Sequence, residues 1–344
     1  MDKQSLHNLL HTLGERLRRS RLAQWQPARS LALFLQSWWH LLTIAILLVF
    51  LLYYPLGGYL IHRIDTNTEY EIELAHPEQS AAVELSSFLI NREVNDKLWT
   101  ANLPFFYPSY FLDNMPSFQQ GIIKSQQIGI NAMAHRLTPP IKDDTTPNYL
   151  LKAAELLNYP GTVWMFSPDN KLRPAPSSTK QYRKARRYLI KYNEALLNRG
   201  LIFYRSAEDL QFFLRKIALG IGQAEKSLST QIREHNTDWF DTQADNVFYY
   251  NQGQAYGFFL FLKALGKDYQ PIIVEHGAYE DWTILLNALR NAAELSPTIV
   301  RNGELNSSFA PNHLSYLNAY LLKAQNTIYK IDTLLNTPHN KDTK

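Results

Sequence analysis

The sequence predicts a mainly α-helical protein, in which a single N-terminal transmembrane helix precedes an extracytoplasmic multi-helix bundle. Three observations support this fold class. A long uncharged apolar run stands near the N-terminus, apolar residues beyond it recur at steps of three and four, and prolines and glycines fall between those periodic segments. A chain of 344 residues with 45% hydrophobic content is long enough to bury a core of its own.

Basic residues are concentrated in residues 1–30, which we predict to be a cytoplasmic tail. The tail carries six Lys and Arg residues against two acidic ones, and the whole chain has a formal net charge of +4. The rest of the chain is therefore neutral overall, which argues against nucleic acid as a partner. One helix face of the tail is apolar and carries Leu6, Leu9, Leu10, Leu13 and Leu17. The tail either lies on an anionic membrane surface or serves only as topogenic charge.

Residues 38–61 are predicted to cross the membrane. The stretch from Leu41 to Ile61 contains no charged residue, and about 20 apolar residues span a bilayer core. Aromatic residues flank it as in interfacial belts: Trp38, Trp39, Tyr53, Tyr54 and Tyr59. A cleaved signal peptide fits less well, because the run begins late in the chain and lacks a small-residue cleavage pattern.

Charge on the two sides of the span predicts its orientation. Arginines precede it, whereas the tether that follows, residues 62–77, is acidic. The positive-inside rule places the N-terminus in the cytoplasm and the bulk of the chain on the other side of the membrane. In a bacterial envelope, this means an inner-membrane anchor and a periplasmic domain. The absence of cysteine agrees with that compartment without requiring it.

The predicted periplasmic domain covers residues 78–336, and a polar tail follows at 337–344. Helices are predicted at 78–92, 118–137, 148–158, 179–198, 206–235, 246–265, 272–295 and 312–335. Residues 162–178 combine β-type residues with turn residues, which predicts an extended excursion or a small hairpin. Basic residues align on one face of the helix at 179–198; such a face is either solvated or meets anionic lipid or glycan.

Residues 99–116 form a predicted loop that is dense in aromatic residues. Three prolines exclude a regular helix there. The rings either pack against the core, which is the commoner role, or form a groove that binds sugar rings or a partner. In the second case Phe105 and Tyr107 are candidate binding residues.

A short stretch, Asp113–Gly121 (DNMPSFQQG), is echoed at Asp245–Gly253 (DNVFYYNQG). Both stretches contain Asp-Asn, an aromatic residue five positions after the Asp, and Gln-Gly, and both lead into an apolar segment. Asp and Asn suit a helix start, where their oxygens meet free backbone N–H groups. The echo predicts either one way of starting a core helix, used twice, or a duplicated binding site. The polar residues of such a site are Asp113, Asn114, Asp245 and Asn246.

Catalytic and metal-binding patterns are largely missing. The sequence has no H-E-x-x-H, nucleophile-elbow or phosphate-loop pattern, and the lack of cysteine excludes thiolate chemistry. His235, Asp238 and Asp241 would share a helix face with Asp245 and are weak metal candidates. They lie between predicted helices, where aspartates serve as caps, so we predict neither a metal nor a cofactor.

Three stretches carry a resemblance to a known family: FLDNMPSFQQGIIKSQ, FYRSAEDLQFFL and DNVFYYNQGQAYGFFLFLKAL. They resemble, in the same order, the bacterial family known as domain of unknown function 2333. The similarity covers the anchor and most of the chain to Ala324. It implies a single N-terminal membrane anchor and a mainly helical extracytoplasmic domain, and it implies no activity.

Two classes of function stay open. The first is a non-enzymatic envelope protein that is anchored in the lipid bilayer and binds an envelope protein or a cell-wall polymer. The second is a hydrolase or lyase acting on peptidoglycan or lipid-linked glycan, which needs two carboxylates about 5 to 9.5 Å apart across a cleft. The acids to test are Asp113, Asp245, Glu275 and Glu304. The missing catalytic patterns favour the first class.

Overall fold

The computed structural model describes residue 12 and residues 26–137, 148–166, 173–198, 203–234, 242–297, 300 and 312–337. In these parts the chain folds into ten α-helices and no β-strand, so the predicted mainly α class is confirmed. The chain divides into two compact units, Met1–Gly57 and Gly58–Lys344.

The first helix, α1 (Gln26–Ile61), contains the predicted span. Its stretch Trp38–Ile61 is long and apolar enough to cross a membrane and has a mean hydropathy of 2.2. Most of the large apolar side chains in this stretch are exposed, as expected for a helix that faces lipid rather than a protein core. The predicted amphipathic face of the tail lies outside the described residues.

The second unit is a helical bundle. Its helices are α2 (Ala81–Asn91), α3 (Asn114–Leu137), α4 (Tyr149–Leu157), α5 (Ser178–Asn198), α6 (Ala207–Glu234), α7 (Thr242–Asp268), α8 (Gln270–Glu275), α9 (Tyr279–Ala293) and α10 (His313–Asn336). Helix α7 is central and contacts α2, α3, α6, α9 and α10. It carries buried Phe258, Phe259 and Phe261 on successive faces, which is typical of a helix surrounded by others.

Helix α6 runs antiparallel to α3. Asp209 in its first turn forms an ion pair with Arg136 in the last turn of α3, at 2.7 Å. Further along α6, Gly220 lies against Ile128. The start of α6 is capped, because the Ser206 hydroxyl accepts a hydrogen bond from the Asp209 N–H at 3.1 Å.

Residues 62–77 form an extended strap that lies along α7. The Tyr256 hydroxyl donates a hydrogen bond to the carbonyl oxygen of Asn67 at 2.8 Å, and Lys263 donates to those of Thr68 and Tyr70. The acidic residues of the strap pair with bases of the bundle, Asp65 with Arg92 and Lys97, Glu69 with Arg290, and Glu71 with Lys263 and Lys267. These contacts therefore hold the strap against the bundle.

Several helix boundaries differ from the predictions. Helices α3 and α7 begin at Asn114 and Thr242, before the predicted starts at 118 and 246. The helix predicted at 272–295 is divided into α8 and α9, because Gly277 takes the left-handed conformation, with φ of 65°.

The predicted hairpin is present at its base. Phe166 and Pro174 form an antiparallel bridge, and the Ala175 N–H donates to the Met165 carbonyl oxygen at 3.0 Å. The turn at 167–172 lies outside the described residues.

Candidate functional site

The two echoing stretches start neighbouring helices that run in the same direction. Ser125 of α3 contacts Gly257 of α7, and one turn later Gly129 contacts Phe261. Each of these pairs joins positions 132 residues apart, which is also the separation of the two stretches. Helices α3 and α7 are therefore parallel and in register.

The closest approach of the two helices is at the Gln-Gly positions, and it is reciprocal. A β-carbon at Gly121 would lie 2.0 Å from the carbonyl oxygen of Tyr250, and one at Gly253 would lie 2.1 Å from that of Phe118. Phe118 and Tyr250 are the aromatic residues of the two stretches. Each stretch thus receives the backbone of the other at its glycine, where a side chain would not fit. The echo is a helix-pairing pattern used twice.

This pairing brings the predicted polar residues to one end of the bundle. The Ser117 hydroxyl donates a hydrogen bond to Oδ1 of Asn246 at 3.3 Å. Asp113 is exposed at the start of α3 and accepts a hydrogen bond from the Asn114 N–H at 2.9 Å. Asp245 lies in the first turn of α7, where its charge meets the positive end of that helix.

The carboxylates of Asp113 and Asp245 both influence the pKa of the Tyr249 hydroxyl. Burial raises the pKa of Tyr249, and the charges of Asp245 and Asp113 raise that pKa further. Burial also lowers the pKa of His62, an effect that the charge of Asp113 opposes. Asp113 and Asp245 therefore share one electrostatic environment at the paired helix starts.

The aromatic loop before α3 exposes most of its rings. Trp99 is buried, but Phe105 is 68% exposed, Tyr107 38% and Phe111 70%. Phe106 stacks edge-on against Trp164 of the hairpin, with ring centroids 5.7 Å apart. Of the two alternatives for these rings, packing against the core describes Trp99 alone, since the rings that follow it in the loop are exposed.

The base of the loop is held by Gln119 of α3, a residue that the sequence analysis missed. Its side-chain carbonyl accepts hydrogen bonds from the N–H and the hydroxyl of Thr100, and its NH₂ donates to the carbonyl oxygens of Glu93 and Leu98. Leu98 takes φ of 65°, which is rare for a residue other than glycine. This anchoring leaves the tip of the loop projecting while its base is fixed.

The loop lies against the end of α1 within the second unit. Gly58 is buried, and a β-carbon there would lie 3.6 Å from the side chain of Leu112 and 3.7 Å from the carbonyl oxygen of Pro108. Gly58 belongs to the stretch that is apolar enough to cross a membrane. The exposed rings are thus next to the residues at which that stretch ends.

A buried ionic network, which was not predicted from the sequence, lies beside the strap. Arg92 is 4% exposed, Glu93 is fully buried, and the two pair at 2.7 Å. Arg92 also donates to the Tyr256 hydroxyl at 2.6 Å and lies 3.5 Å from Asp65. Burial works to lower the pKa of Arg92, but Glu93 and its other partners raise it above its ordinary value. The guanidinium therefore stays charged inside the protein.

Two features distinguish this network from an ordinary ion pair. Arg92–Asp96 forms a π-helical turn, a geometry that often marks constrained sites. The guanidinium also lies over the rings of Tyr70 and Tyr256, at 5.3 and 5.0 Å from their centroids. The sequence offered one signal for this network. Two adjacent charged residues, Arg92 and Glu93, lie at the end of an apolar helix pattern.

The other predicted site residues do not join the paired helix starts. Glu275 is exposed at the end of α8, beyond the far end of α7 from Asp245. Helix α7 has 27 residues, so about 40 Å separates its ends, far more than a pair of catalytic carboxylates allows. His235, Asp238, Asp241 and Glu304 lie outside the described residues. In the described parts, no three His, Asp or Glu side chains form a group able to hold a metal ion.

Comparison with known proteins gives one family. The model of a family described as uncharacterised proteins conserved in bacteria, domain of unknown function 2333, matches residues 98–239 and 223–338. No curated protein and no solved structure matches the chain. The matched residues cover both echoing stretches and most of the helical bundle. The chain therefore belongs to the bacterial family domain of unknown function 2333.

Proposed function

We propose that this protein is a membrane-anchored, non-enzymatic binding component of the bacterial cell envelope. Its N-terminus lies in the cytoplasm, α1 crosses the inner membrane, and the helical bundle lies in the periplasm, where it binds an envelope protein or a cell-wall polymer. The observation that supports this proposal is the pairing of the first turns of α3 and α7, which places four polar residues beside an exposed aromatic loop. These residues are Asp113, Asn114, Asp245 and Asn246.

The paired helix starts have the properties of a binding surface. The carboxylates and amides at the helix starts supply directional hydrogen bonds for a sugar or a protein side chain. The reciprocal contacts at Gly121 and Gly253 fix the relative position of the two helices. A preformed surface loses less conformational entropy on binding.

The direction of insertion is tested with reporter fusions. A reporter that is active only in the periplasm, fused after Lys344, is expected to be active in intact cells. The matched fusion of a reporter that is active only in the cytoplasm is expected to be inactive. The opposite pair of results would contradict the proposed topology, since the arginines would then have been translocated.

The binding surface is tested by photo-crosslinking in cells. A photoreactive residue replaces Gln243, which is exposed in the first turn of α7. The control replaces the exposed Tyr329 of α10. Tyr329 is close in sequence to Asp332, which pairs with Arg215 in the early part of α6, the helix whose first turn contacts the end of α3. The control is thus at the opposite end of the bundle.

A specific adduct from position 243, absent from position 329, supports the proposal. Replacing both carboxylates with amides, Asp113→Asn with Asp245→Asn, is expected to reduce the adduct without lowering the melting temperature by more than a few degrees. An adduct that is the same at both positions, or that is insensitive to the double substitution, counts against a site at the helix starts.

One observation favours an envelope hydrolase as a second candidate, namely that the pairing of α3 and α7 brings Asp113 and Asp245 to the same end of the bundle. Purified full-length protein would then release soluble fragments from peptidoglycan. That release would be lost in both Asp113→Asn and Asp245→Asn, because a glycosidase needs two carboxyl groups. No release by the unmodified protein rejects this candidate and leaves the binding proposal in place.

A further inference from the structure

We propose that the exposed rings of the aromatic loop insert into the headgroup region of the bilayer, next to the point where α1 leaves it. This inference goes beyond the proposed function, because it assigns the rings to lipid and leaves the polar helix starts to the envelope partner. It rests only on the membrane-spanning role of α1. The rings concerned are those of Phe105, Phe106, Tyr107, Tyr110, Phe111 and Trp164.

The first step is the depth of the loop. Pro108 and Leu112 contact Gly58, three residues before the end of the apolar stretch at Ile61. At a rise of 1.5 Å per residue, Gly58 is about 5 Å from that end along the helix. The headgroup region on each side of the hydrocarbon core is of similar thickness, about 5 to 7 Å. A turn that packs on Gly58 is therefore held at the depth of the bilayer interface.

The second step is that the loop cannot easily leave this depth. Its base is tied to the bundle by Gln119, and the Trp99 indole N–H donates to the Gly161 carbonyl oxygen at 2.8 Å. The strap that follows α1 is paired with the bundle through Asp65, Glu69 and Glu71. The loop, the strap and the last residues of α1 therefore belong to one compact unit, in which the loop is held beside residues 58–61.

The third step is the chemistry of the exposed side chains. Six large aromatic rings exposed together would be unfavourable in water, whereas aromatic rings are the residues that concentrate at membrane interfaces. Tyr107 and Tyr110 are amphipathic and can keep their hydroxyls among the headgroups. The patch thus fits a lipid surface better than open solvent.

Basic residues lie beside the patch. The first residue of α5, Ser178, donates its N–H to the Val163 carbonyl oxygen, next to Trp164. The first turns of α5 expose Lys180, Arg183 and Lys184, which suit anionic headgroups. The carboxylate of Asp113 is at the same end, so we expect the rings, rather than net charge, to supply most of the binding.

The absence of cysteine makes a direct test available, because a single introduced cysteine is the only site a thiol-reactive dye can label. Phe105→Cys and Phe111→Cys are prepared in the full-length protein, labelled with an environment-sensitive fluorophore and reconstituted in phosphatidylcholine vesicles. Some vesicles contain lipid with a spin label near the headgroup. Tyr59→Cys, in the apolar stretch, is the positive control, and Tyr329→Cys, on α10, is the negative control.

Emission from positions 105 and 111 is expected to be quenched to the extent seen at position 59, while emission from position 329 is unchanged. Equal melting temperatures of the four variants show that the fold is retained. Labels at 105 or 111 that behave like the label at 329 overturn this inference alone, provided that position 59 is quenched. If position 59 is also unquenched, the membrane-spanning role of α1 fails, and with it the proposed function.

Discussion

Gly121 of α3 packs directly against the backbone of Tyr250 in α7. A β-carbon on Gly121 would be 2.0 Å from the Tyr250 carbonyl oxygen, well inside the contact distance of the two atoms. The reciprocal contact joins Gly253 to Phe118. These two contacts hold α3 and α7 parallel, and they therefore determine where the polar residues at the helix starts meet.

Replacing either glycine with alanine should be strongly destabilising. Gly121→Ala or Gly253→Ala forces two backbones apart, and overpacking of this kind costs about 1 to 3 kcal/mol and occasionally more. The measurement is the melting temperature of the full-length protein in detergent. Gly222→Ala is the matched control, because its β-carbon would meet only the flexible end of Gln325 and alanine favours a helix. If Gly121→Ala melted like Gly222→Ala, the close crossing would be refuted.

The buried ionic network predicts a cost that depends on its partner. Arg92→Met leaves the buried carboxylate of Glu93 with only its longer contact to Lys97, at 3.6 Å, and breaking a buried ion pair in this way typically costs about 3 to 5 kcal/mol. Adding Glu93→Gln removes that charge and should restore much of the lost stability. Unfolding of the two single variants and the double variant forms a double-mutant cycle. Additive effects would show that Arg92 and Glu93 are not coupled.

Gln119 should matter far more to stability than its neighbour Gln120. Gln119→Leu leaves four backbone or hydroxyl groups of Thr100, Glu93 and Leu98 without this partner, at about 1 to 3 kcal/mol for each of them that is buried. Gln120 is only partly buried and donates to Pro116 of its own helix. Limited proteolysis would check the position of the damage, since Gln119→Leu should expose the aromatic loop to cleavage and Gln120→Leu should not.

Asp65 should make stability depend on acid. Burial works to raise the pKa of Asp65, but the Asn67 N–H, Lys97, Arg92 and the Tyr70 hydroxyl together hold it below its ordinary value. The folded pKa is thus below the unfolded one. The carboxylate therefore stabilises the fold above the unfolded pKa of about 4, and this contribution is lost as the pH falls through the folded pKa.

Asp65→Asn is expected to lower the melting temperature at neutral pH and to have a smaller effect in acid. Glu73→Gln, at an exposed position of the same strap, is the control. A difference between Asp65→Asn and the unmodified protein that stays constant as the pH falls below about 4 would show that the carboxylate charge is not responsible.

The apolar stretch at 38–61 and most helices of the bundle could be predicted from the sequence alone. Both are properties of single elements, since length and hydropathy define a span, and apolar steps of three and four define a helix face. The capping of α6 by Ser206 is likewise a local feature, because the Ser206 hydroxyl and the Asp209 N–H that donates to it are three residues apart. The division of a predicted helix at Gly277 was not foreseen, because one residue in the left-handed conformation interrupts the helix while the apolar residues stay periodic on both sides.

How these elements pack against one another could be learned only from the structure. Periodicity shows which face of α3 is buried but not that it meets α7 in register, since that choice depends on residues 132 positions away. For the same reason, the burial of Arg92 between Glu93 and Tyr256 was not visible in the sequence. Aromatic density at 99–116 was visible, but exposure of Phe105 and Phe111 depends on which neighbours surround the loop. Local chemistry specifies an element, and packing between distant segments specifies a site.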